Sequence, residues 1–319
     1  MPKKSLSSVD SYYELYRGRT LLVSLIGRQK FTEADYESLM RDVAELVRER
    51  INILLVANAQ LSEMASSLVE RFGTEINEVL LINQQGGVRD SAGRLVPVLT
   101  QASLHRILAG EHPQFKRISA DLRTQLEQVA LLLPRVAKVT LVSPNGLKSE
   151  ITQWRGSGTM CLHSEQLSLA PLREIEYPIF RRVHDSYVAE NKFRVRSERE
   201  LEEVARCHQI LKAKNSPLAG FSLLPHEEPW LELCVWWAQY RGDGFGSRVL
   251  DAARQQARDL DRKIFAMSTE PDAIENLERH CFLNLGKISQ VDFAAHPKLP
   301  ATVRNYDTQV RDPMLLVQM

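Results

Sequence analysis

A glycine-rich turn between an apolar run and a helix is the feature of this sequence that most restricts its fold. The run "LELCVWWAQY" stops at "RGDGFGS", residues 241–247, and Val249, Leu250, Ala253 and Ala257 then recur at helical spacing. The unpaired N–H groups of a helix's first turn attract anions, and glycines let a phosphate approach that backbone closely. The turn therefore predicts a diphosphate-binding loop, and the alternative is a purely structural turn. The residues predicted to bind the diphosphate are Arg241, Gly242, Asp243, Gly244, Gly246 and Ser247.

The composition argues against several classes of protein. A chain of 319 residues is long enough for two domains, and 41 Lys and Arg residues against 40 Asp and Glu residues leave a net charge of +1. Such a balance gives no general attraction to nucleic acid or to an anionic membrane. The apolar runs fall short of the roughly 18 to 20 residues of a membrane span, and the polar start lacks the core of a signal peptide. We therefore expect a cytoplasmic protein with no nucleic-acid or membrane partner.

Cysteine and histidine spacing predicts no metal site. The four cysteines form no C-x-x-C pair, which favours free thiols in a reducing compartment over a zinc site or a disulfide frame. His208 and His280 lie on predicted helices without a second ligand four residues further on. We therefore expect no metal cofactor.

The first half of the sequence alternates apolar strands with amphipathic helices. The pattern predicts strands at "RTLLVSLIG", "INILLVAN", "EVLLIN" and "VAKVTLVS", with helices at residues 32–50, 62–73 and 120–133 between them. "INILLVAN" is continuously apolar, as in a strand that is buried on both faces of a parallel sheet. This order predicts a doubly wound parallel α/β domain over residues 1–165.

The second half has a different order of elements. Proline and mixed polarity near Pro171 predict a linker over residues 166–174. From residue 175 to residue 319 the pattern predicts a helix, two strands, the glycine turn, a helix, the strand "KIFAMST", a helix over "AIENLERHCFLNLG" and a β-rich tail. This order is typical of an α+β domain.

Both halves resemble the N-acetylglutamate synthases. The R-x-x-G-x-G turn resembles the pyrophosphate loop of the GCN5-related N-acetyltransferases (GNAT), and "HCFLNLG" resembles that family's "HWF-x-x-x-G". "YRGRTLLVSLIG", "LINQQGGVRDSAGRLV" and "SGTM" resemble stretches of an amino-acid-kinase-like domain. The resemblance implies a shortened amino-acid-kinase-like domain over residues 1–165 and a GNAT domain over residues 175–319.

The first half departs from the kinase pattern where phosphates would bind. In the first strand, Ser24 stands where the kinases have a lysine and Ile26 where they have a glycine, so that Gly27 is the one glycine kept. After the second strand, "ANAQ" replaces a glycine-rich loop. Without a cation for the γ-phosphate, we expect no phosphoryl transfer. The domain is then a scaffold, a regulatory site or the surface of a homo-oligomer.

The resemblance implies an acetyl-CoA-dependent N-acetyltransferase that acetylates the amino group of an amino acid. L-Glutamate, as in arginine biosynthesis, is the best match to the family. The alternative is a non-catalytic or regulatory relative that binds acetyl-CoA, an amino acid effector or a partner subunit. The intact glycine turn favours the enzyme, whereas the altered first half favours the alternative.

Glu232 is the predicted general base of this chemistry. It lies on the strand that leads into the glycine turn, and strand alternation places it on the same face as Cys234 and Trp236. Acetyl transfer also requires donors to the thioester carbonyl, which we assign to backbone N–H groups near Val235 and Trp236. The alternative for Glu232 is a solvent-facing position on the strand.

Three arginines are the predicted ligands of a substrate carboxylate. A guanidinium pairs with a carboxylate through two parallel hydrogen bonds. Arg194 and Arg196 lie in "RVRSERELE", which resembles the family's "RRSREELE", and Arg311 matches one arginine of a motif near the C-terminus. Asp312 stands where the family has serine, and its charge would repel a dicarboxylate such as glutamate. The alternative for each arginine is a solvated surface charge.

Overall fold

The structure is a computed structural model, and it describes residues 8–26, 31–56, 67, 76–115, 118–136, 138–153, 156–163, 167–213, 216–239, 244–308 and 312–318. The chain divides into two compact units. The first unit comprises Met1–Ser168 with Lys212–Ser216, and the second comprises Leu169–Leu211 with Pro217–Met319.

The first unit is an α/β fold around one six-stranded sheet. Its described elements, in chain order, are α1 (Ser8–Tyr16), β1 (Thr20–Leu25), α2 (Glu33–Arg48), β2 (Asn52–Val56), β3 (Ile76–Ile82), β4 (Val98–Thr100), α3 (Gln101–Ala109), α4 (Ala120–Leu132), β5 (Lys138–Val142), α5 (Leu147–Thr152) and β6 (Thr159–Leu162).

The sheet of the first unit has the strand order β2-β1-β3-β5-β6-β4. Strands β2, β1, β3 and β5 are parallel, β6 runs antiparallel to β5, and β4 is parallel to β6. The predicted α/β fold is therefore confirmed, with two strands reversed at one edge. The predicted helix over residues 62–73 lies outside the described residues except for residue 67.

Strand β2 differs from its prediction. It lies at the edge of the sheet, and Leu54 and Leu55 are 38% and 40% exposed. The prediction that it is buried on both faces is wrong, because an apolar run gives no information on whether its strand is central or at an edge. In contrast, Leu39, Val43 and Leu46 of α2 are buried at the predicted helical spacing.

The second unit is built around a seven-stranded sheet with helices. Its elements, in chain order, are β7 (Leu167–Pro171), a 3₁₀ turn (Glu174–Glu176), α6 (Tyr177–Ala189), α7 (Glu198–Arg206), β8 (His208–Ala213), β9 (Ser216–Pro225), β10 (Trp230–Ala238), α8 (Phe245–Asp259), β11 (Lys263–Ser268), α9 (Pro271–Arg279), β12 (Leu283–Lys287), a second 3₁₀ turn (Ile288–Gln290), α10 (Ala301–Arg304) and β13 (Met314–Gln318).

Strand order in this sheet is β12-β13-β11-β10-β9-β8-β7. Strand β10 is antiparallel to β9 and parallel to β11, which is in turn antiparallel to β13. The parallel pair β10–β11 is connected through α8, which follows the glycine turn. The α+β class predicted for the second half is therefore confirmed.

Within the expected linker, Leu167–Pro171 form strand β7, because a strand at the edge of a sheet tolerates its proline. Two other local predictions in the second half are wrong. His208 begins strand β8 instead of continuing a helix. The helix predicted through residue 286 ends at Arg279, since Cys281 adopts a left-handed backbone at φ 64° and β12 follows.

Among the described residues, no helix combines the length and the apolar character that a membrane crossing needs.

Candidate active site on strand β10

A β-bulge interrupts β10 shortly before the glycine turn. Cys234 lies opposite Ser222 and Trp237 lies opposite Gly220, so β10 has one residue more than β9 between these pairs. Val235 adopts φ 47°, a left-handed backbone that is strained for a β-branched residue. Bulges change the direction of side chains and leave backbone groups outside the ladder, and they are frequent beside active sites.

The bulge changes the predicted faces of β10. Glu232 and Cys234 lie on one face, as strand alternation predicts. After the extra residue, Trp237 continues that face instead of Trp236, so the predicted position of Trp236 is wrong. The Trp237 indole Nε1 donates to His208 Nε2 at 3.2 Å in the buried interior of the unit.

Strands β10 and β11 part at Glu232. Their parallel pairing in the described residues runs from Trp230–Lys263 to Glu232–Phe265. Beyond that point β11 continues to Ser268 along β13, while β10 continues along β9. An opening therefore begins at Glu232 and extends toward the bulge, where backbone groups of β10 are not in a ladder with β11.

Helix α8 begins beside the bulge. Gly244 is its N-cap with φ 74°, and its carbonyl accepts from the Arg248 N–H at 2.9 Å. Space around the α-carbon of Gly244 is open, since a Cβ there would meet no described atom within 4 Å. The predicted loop residues Arg241, Gly242 and Asp243 lie outside the described residues, whereas the half-buried Ser247 lies in the first turn of α8.

Trp236 connects the bulge to this helix start. Its Nε1 donates to the Gly246 carbonyl at 3.2 Å. A Cβ added to Gly246 would lie 3.6 Å from the Trp236 ring and 3.7 Å from Ala238, which are ordinary contacts. Packing within the described residues therefore does not require glycine at position 246. Close approach of a ligand to the backbone would explain a glycine there.

Glu232 is buried, with a side chain that is 10% exposed. Its Oε2 lies 2.9 Å from His226 Nε2, and His226 Nδ1 lies 3.0 Å from the Thr302 hydroxyl. The solvent-facing alternative for Glu232 is therefore wrong. Neither His226 nor Thr302 is predicted from the sequence. His226 lies diagonally opposite Glu232 in the β9–β10 hairpin, and the cluster "HEEPW", which ends at the first residue of β10, is a sequence signal that could have indicated it.

Arg196 lies close enough to Glu232 and Cys234 to interact electrostatically. Burial lowers the pKa of the Arg196 guanidinium, and the neighbouring Cys234 and Glu232 oppose that shift. Its Nε is buried and has no hydrogen-bond partner among the described residues. A half-buried guanidinium whose buried Nε has no partner is a favourable place for an anionic ligand.

The other two predicted arginines are not placed beside Glu232 by the described contacts. Arg194 is exposed, and its guanidinium lies 3.3 Å from the Glu200 carboxylate. Arg311 lies outside the described residues. The neighbouring Asp312 accepts from the Ser289 hydroxyl at 2.6 Å and from its N–H at 3.0 Å, and these bonds lower the pKa of Asp312.

Two further buried groups lie near Arg196. Burial lowers the pKa of His184, whose side chain is 3% exposed and whose Nε2 has no partner in the described part of the chain. The hydrogen bond with Asp185 opposes this shift, and the positive charge of Arg196 adds to it. Burial raises the pKa of the Cys234 thiol, which keeps it protonated at neutral pH and makes it a poor nucleophile.

Within the described ranges, no group of three or more histidine, cysteine or acidic side chains is arranged to hold a metal ion.

The fold is similar to solved acetyltransferase structures. No protein-family model and no curated protein sequence matches the chain. A structure of N-acetylglutamate synthase from Neisseria gonorrhoeae, complexed with coenzyme A and L-arginine, is similar over 98% of this chain and 97% of its own, with 14% identity and a TM-score of 0.53. The same enzyme complexed with coenzyme A and N-acetyl-glutamate has the same coverage and identity and a TM-score of 0.43. A GNAT-family acetyltransferase from Staphylococcus aureus Mu50 matches 48% of this chain and 98% of its own, at 11% identity and a TM-score of 0.38.

The likeness to the L-arginine complex confirms the fold that the sequence motifs predict, because it extends over both halves of the chain at a TM-score above 0.5.

Proposed function

We propose that this protein is an acetyl-CoA-dependent N-acetyltransferase that acetylates the amino group of an amino acid, with L-glutamate as the best candidate. The observation that carries the proposal is the bulge of β10, which lies between the point where β10 parts from β11 and the open glycine start of α8. The fold shared with an enzyme that was solved with coenzyme A supports the same reading.

The donor's diphosphate would bind at the start of α8. Backbone N–H groups of a helix's first turn are unpaired, and the helix dipole favours a negative charge there. The open space at Gly244 and the tolerant packing at Gly246 leave room for phosphate oxygens. The acyl arm would then extend along the edge of β10 that β11 leaves unpaired.

The thioester carbonyl would be polarised at the bulge. Backbone N–H groups near Val235 and Trp236 are the proposed donors, because a bulge takes such groups out of the ladder. Fixed donors that point at a developing negative charge contribute strongly to catalysis of acyl transfer. The strained backbone of Val235 is consistent with a functional position.

Glu232 is the proposed general base. Its carboxylate would take a proton from the substrate's ammonium group, so that the free amine attacks the thioester carbonyl. The new C–N bond forms as the C–S bond breaks, and the attacking nitrogen releases its second proton to solvent. The coenzyme A thiolate leaves and takes up a proton from solvent. Burial beside Arg196 keeps this chemistry in a site of restricted water access.

Arg196 is the proposed partner of the substrate's carboxylate. Its unpaired buried Nε supports this role, and Arg311 is proposed as a second contact on the basis of its sequence motif. Arg194 already pairs with Glu200, so we assign it a weaker contribution. Asp312 is held by Ser289, and these two hydrogen bonds stabilise its charge without a substrate.

The first unit is proposed to act as a scaffold and as the surface of a homo-oligomer, without kinase activity. Ser24, at the position of the kinase lysine, donates to the Val56 carbonyl at 3.2 Å and is buried. A buried hydroxyl that is already bonded offers no charge to a nucleotide phosphate.

A thiol-release assay tests the proposed function. The full-length protein is incubated with acetyl-CoA and a panel of amino acids and polyamines, and free coenzyme A is measured. We expect release to depend on an amino acid and to be fastest with L-glutamate. Acetyl-CoA binding without release for any amine would reject the enzyme and favour the regulatory relative.

A further inference from the structure

We propose that His226 and Thr302 position the Glu232 carboxylate for proton transfer. In this arrangement the Thr302 hydroxyl donates to His226 Nδ1, and His226 Nε2–H donates to Glu232 Oε2. The inference rests on the proposed function, since Glu232 is the base only if the protein transfers an acetyl group.

The three groups form a continuous chain of hydrogen bonds. His226 Nε2 lies 2.9 Å from Glu232 Oε2, and His226 Nδ1 lies 3.0 Å from Thr302 Oγ1. A neutral imidazole has one donor and one acceptor nitrogen, and a carboxylate accepts only. A donor from Thr302 therefore fixes the proton on Nε2, where Glu232 needs it.

The solvent exposure of the three side chains increases from Glu232 to Thr302. The Glu232 side chain is 10% exposed, that of His226 is 18% exposed, and Thr302 is exposed. The hydroxyl that sets the tautomer is thus hydrated, whereas the carboxylate lies inside the unit. The hydrogen bond at Oε2 leaves Oε1 as the oxygen that would receive the substrate's proton.

Other contacts hold the imidazole in place. Its ring packs against Phe265 of β11, with centroids 5.3 Å apart and planes tilted by 58°. The His226 N–H donates to the Trp230 carbonyl at 3.0 Å, and the Trp230 indole donates to the Lys298 carbonyl. These contacts secure the β9–β10 turn against the segment that leads into α10.

The groups that face His226 come from three elements. Glu232 faces it from β10, Thr302 from α10 and the apolar ring of Phe265 from β11. The adjacent Glu227 carboxylate accepts from the Ala301 N–H at 3.0 Å and does not face Nδ1 by any described contact. Arg196 and Cys234 also interact electrostatically with Glu232.

Orientation of a catalytic carboxylate has measurable consequences. A hydrogen bond to a charged group contributes roughly 1.5–3 kcal/mol, about a tenfold to hundredfold effect. A donor also favours the ionised carboxylate, so its loss makes the base easier to protonate. Substitution of a residue with a merely structural role would not shift the pH profile of turnover, and it would not lower kcat while KM stays constant.

The test compares four variants of the full-length protein. His226→Leu removes the donor, His226→Gln keeps an N–H at similar reach, Thr302→Val removes the hydroxyl at constant shape, and Thr302→Ser keeps it. We expect His226→Leu to lower kcat about tenfold to hundredfold at unchanged KM for acetyl-CoA. We also expect the acid limb of its kcat/KM profile to move to higher pH. His226→Gln and Thr302→Ser should recover most of the loss, and Thr302→Val should lose only a few-fold.

Two controls separate this role from general damage. His280 forms a comparable pair with Asp251 at 3.1 Å elsewhere in the same unit, and His280→Leu should keep wild-type kcat and pH profile. In addition, ¹⁵N spectra of histidine-labelled protein should show His226 protonated on Nε2, and Thr302→Val should weaken that preference.

The outcomes distinguish this proposal from the proposed function. A wild-type protein that releases no thiol with any amine overturns the acetyltransferase assignment and the positioning role together. An active wild type whose His226→Leu variant keeps kcat and pH profile overturns the positioning role alone. A His226→Gln variant as impaired as His226→Leu also overturns it, because the retained donor should then have sufficed.

Discussion

Two buried carboxylates, one in each unit, differ in how completely they are paired. In the first unit Glu78 lies 2.7 Å from Lys138 Nζ, and it accepts from the Thr140 hydroxyl at 3.0 Å and the Tyr16 hydroxyl at 3.3 Å. In the second unit the described contacts of Glu232 include one hydrogen bond, to His226. Arg196, whose buried Nε has no hydrogen-bond partner among the described residues, interacts electrostatically with Glu232.

The Glu78 network is complete without a ligand, whereas the groups around Glu232 are not. A buried charge whose oxygens and protons are all paired contributes to a fixed fold and offers nothing to a ligand. A buried group with an unsatisfied donor is complete only when a ligand supplies the missing partner. On this basis we assign structure to the Glu78 network and chemistry to the Glu232 site.

Removing the cation of the first network should have the largest effect on stability. Lys138 is fully buried, and although burial lowers its pKa, the Glu78 carboxylate raises it overall. Lys138→Met leaves Glu78 as an unpaired buried charge, which costs roughly 3–5 kcal/mol. Urea unfolding should show that loss, while the folded variant keeps its acetyl-CoA affinity. Lys138→Met with Glu78→Leu should recover much of the stability, and a double variant as unstable as the single one would contradict the argument.

Neutralising the second carboxylate should instead remove activity. Glu232→Gln keeps the shape and an acceptor for His226 but cannot take a proton. General base catalysis contributes typically about 10²–10⁴-fold, so kcat should fall at least about a hundredfold. Steady-state thiol release measures this, with unfolding and acetyl-CoA binding as controls that should match the wild type. Activity within a few-fold of wild type would exclude Glu232 as the base.

Substitutions in the glycine turn should change the affinity for acetyl-CoA and nothing else. Gly246→Ala fits the described packing, whereas Gly246→Val adds a branched side chain to the first turn of α8, where we propose that the diphosphate binds. We expect Gly246→Val to weaken acetyl-CoA binding about tenfold or more, as loss of hydrogen bonds to a charged group does, and Gly246→Ala to weaken it less. Undiminished binding of Gly246→Val in calorimetry would show that the turn is structural.

The loss of substrate affinity in the arginine variants should depend on whether each arginine already has a partner. Arg196→Ala should weaken the amine substrate about tenfold to hundredfold at unchanged acetyl-CoA affinity, and Arg311→Ala should act in the same direction. Arg194→Ala should have a smaller effect, since Arg194 is exposed and already pairs with Glu200. Wild-type KM values for both Arg196→Ala and Arg311→Ala would indicate an uncharged or cationic amine as substrate.

The smallest effect is expected at Cys234. Burial raises the pKa of its thiol, so the reactive thiolate forms only at a pH above the usual range. Iodoacetamide at neutral pH should therefore label the exposed Cys281 first and the buried Cys161 and Cys234 last, as mass spectrometry of tryptic peptides can show. Cys234→Ser should keep kcat within a few-fold. Rapid labelling of Cys234 would mean that the site is more open than described.

Sequence periodicity and motifs predict the fold and the order of the elements, but not the geometry of the site. Alternation correctly places Glu232 with Cys234, and it fails at Trp236 because nothing in "LCVWWA" shows that one residue is inserted at Val235. The exposure of Leu54 and Leu55 depends on which strand lies at the edge of the sheet, which is a property of the whole topology.

Long-range contacts are the other part that the sequence does not indicate. Thr302 reaches His226 across 76 positions of the chain, and Thr140 reaches Glu78 across 62. Such pairs have no local spacing rule, in contrast to the glycine turn, whose residues are adjacent. The sequence predicts Arg196 through a motif that resembles one in a known family, whereas its buried Nε without a partner among the described residues is seen only in the structure.

Calorimetric titration of the full-length protein with acetyl-CoA and, separately, with ATP tests the contrast between the two units most directly. We expect saturable binding of acetyl-CoA to one site per chain, weakened in Gly246→Val, and no binding of ATP at millimolar concentration. Binding of ATP without binding of acetyl-CoA would contradict it, because the first unit would then contain the functional site and the second would not.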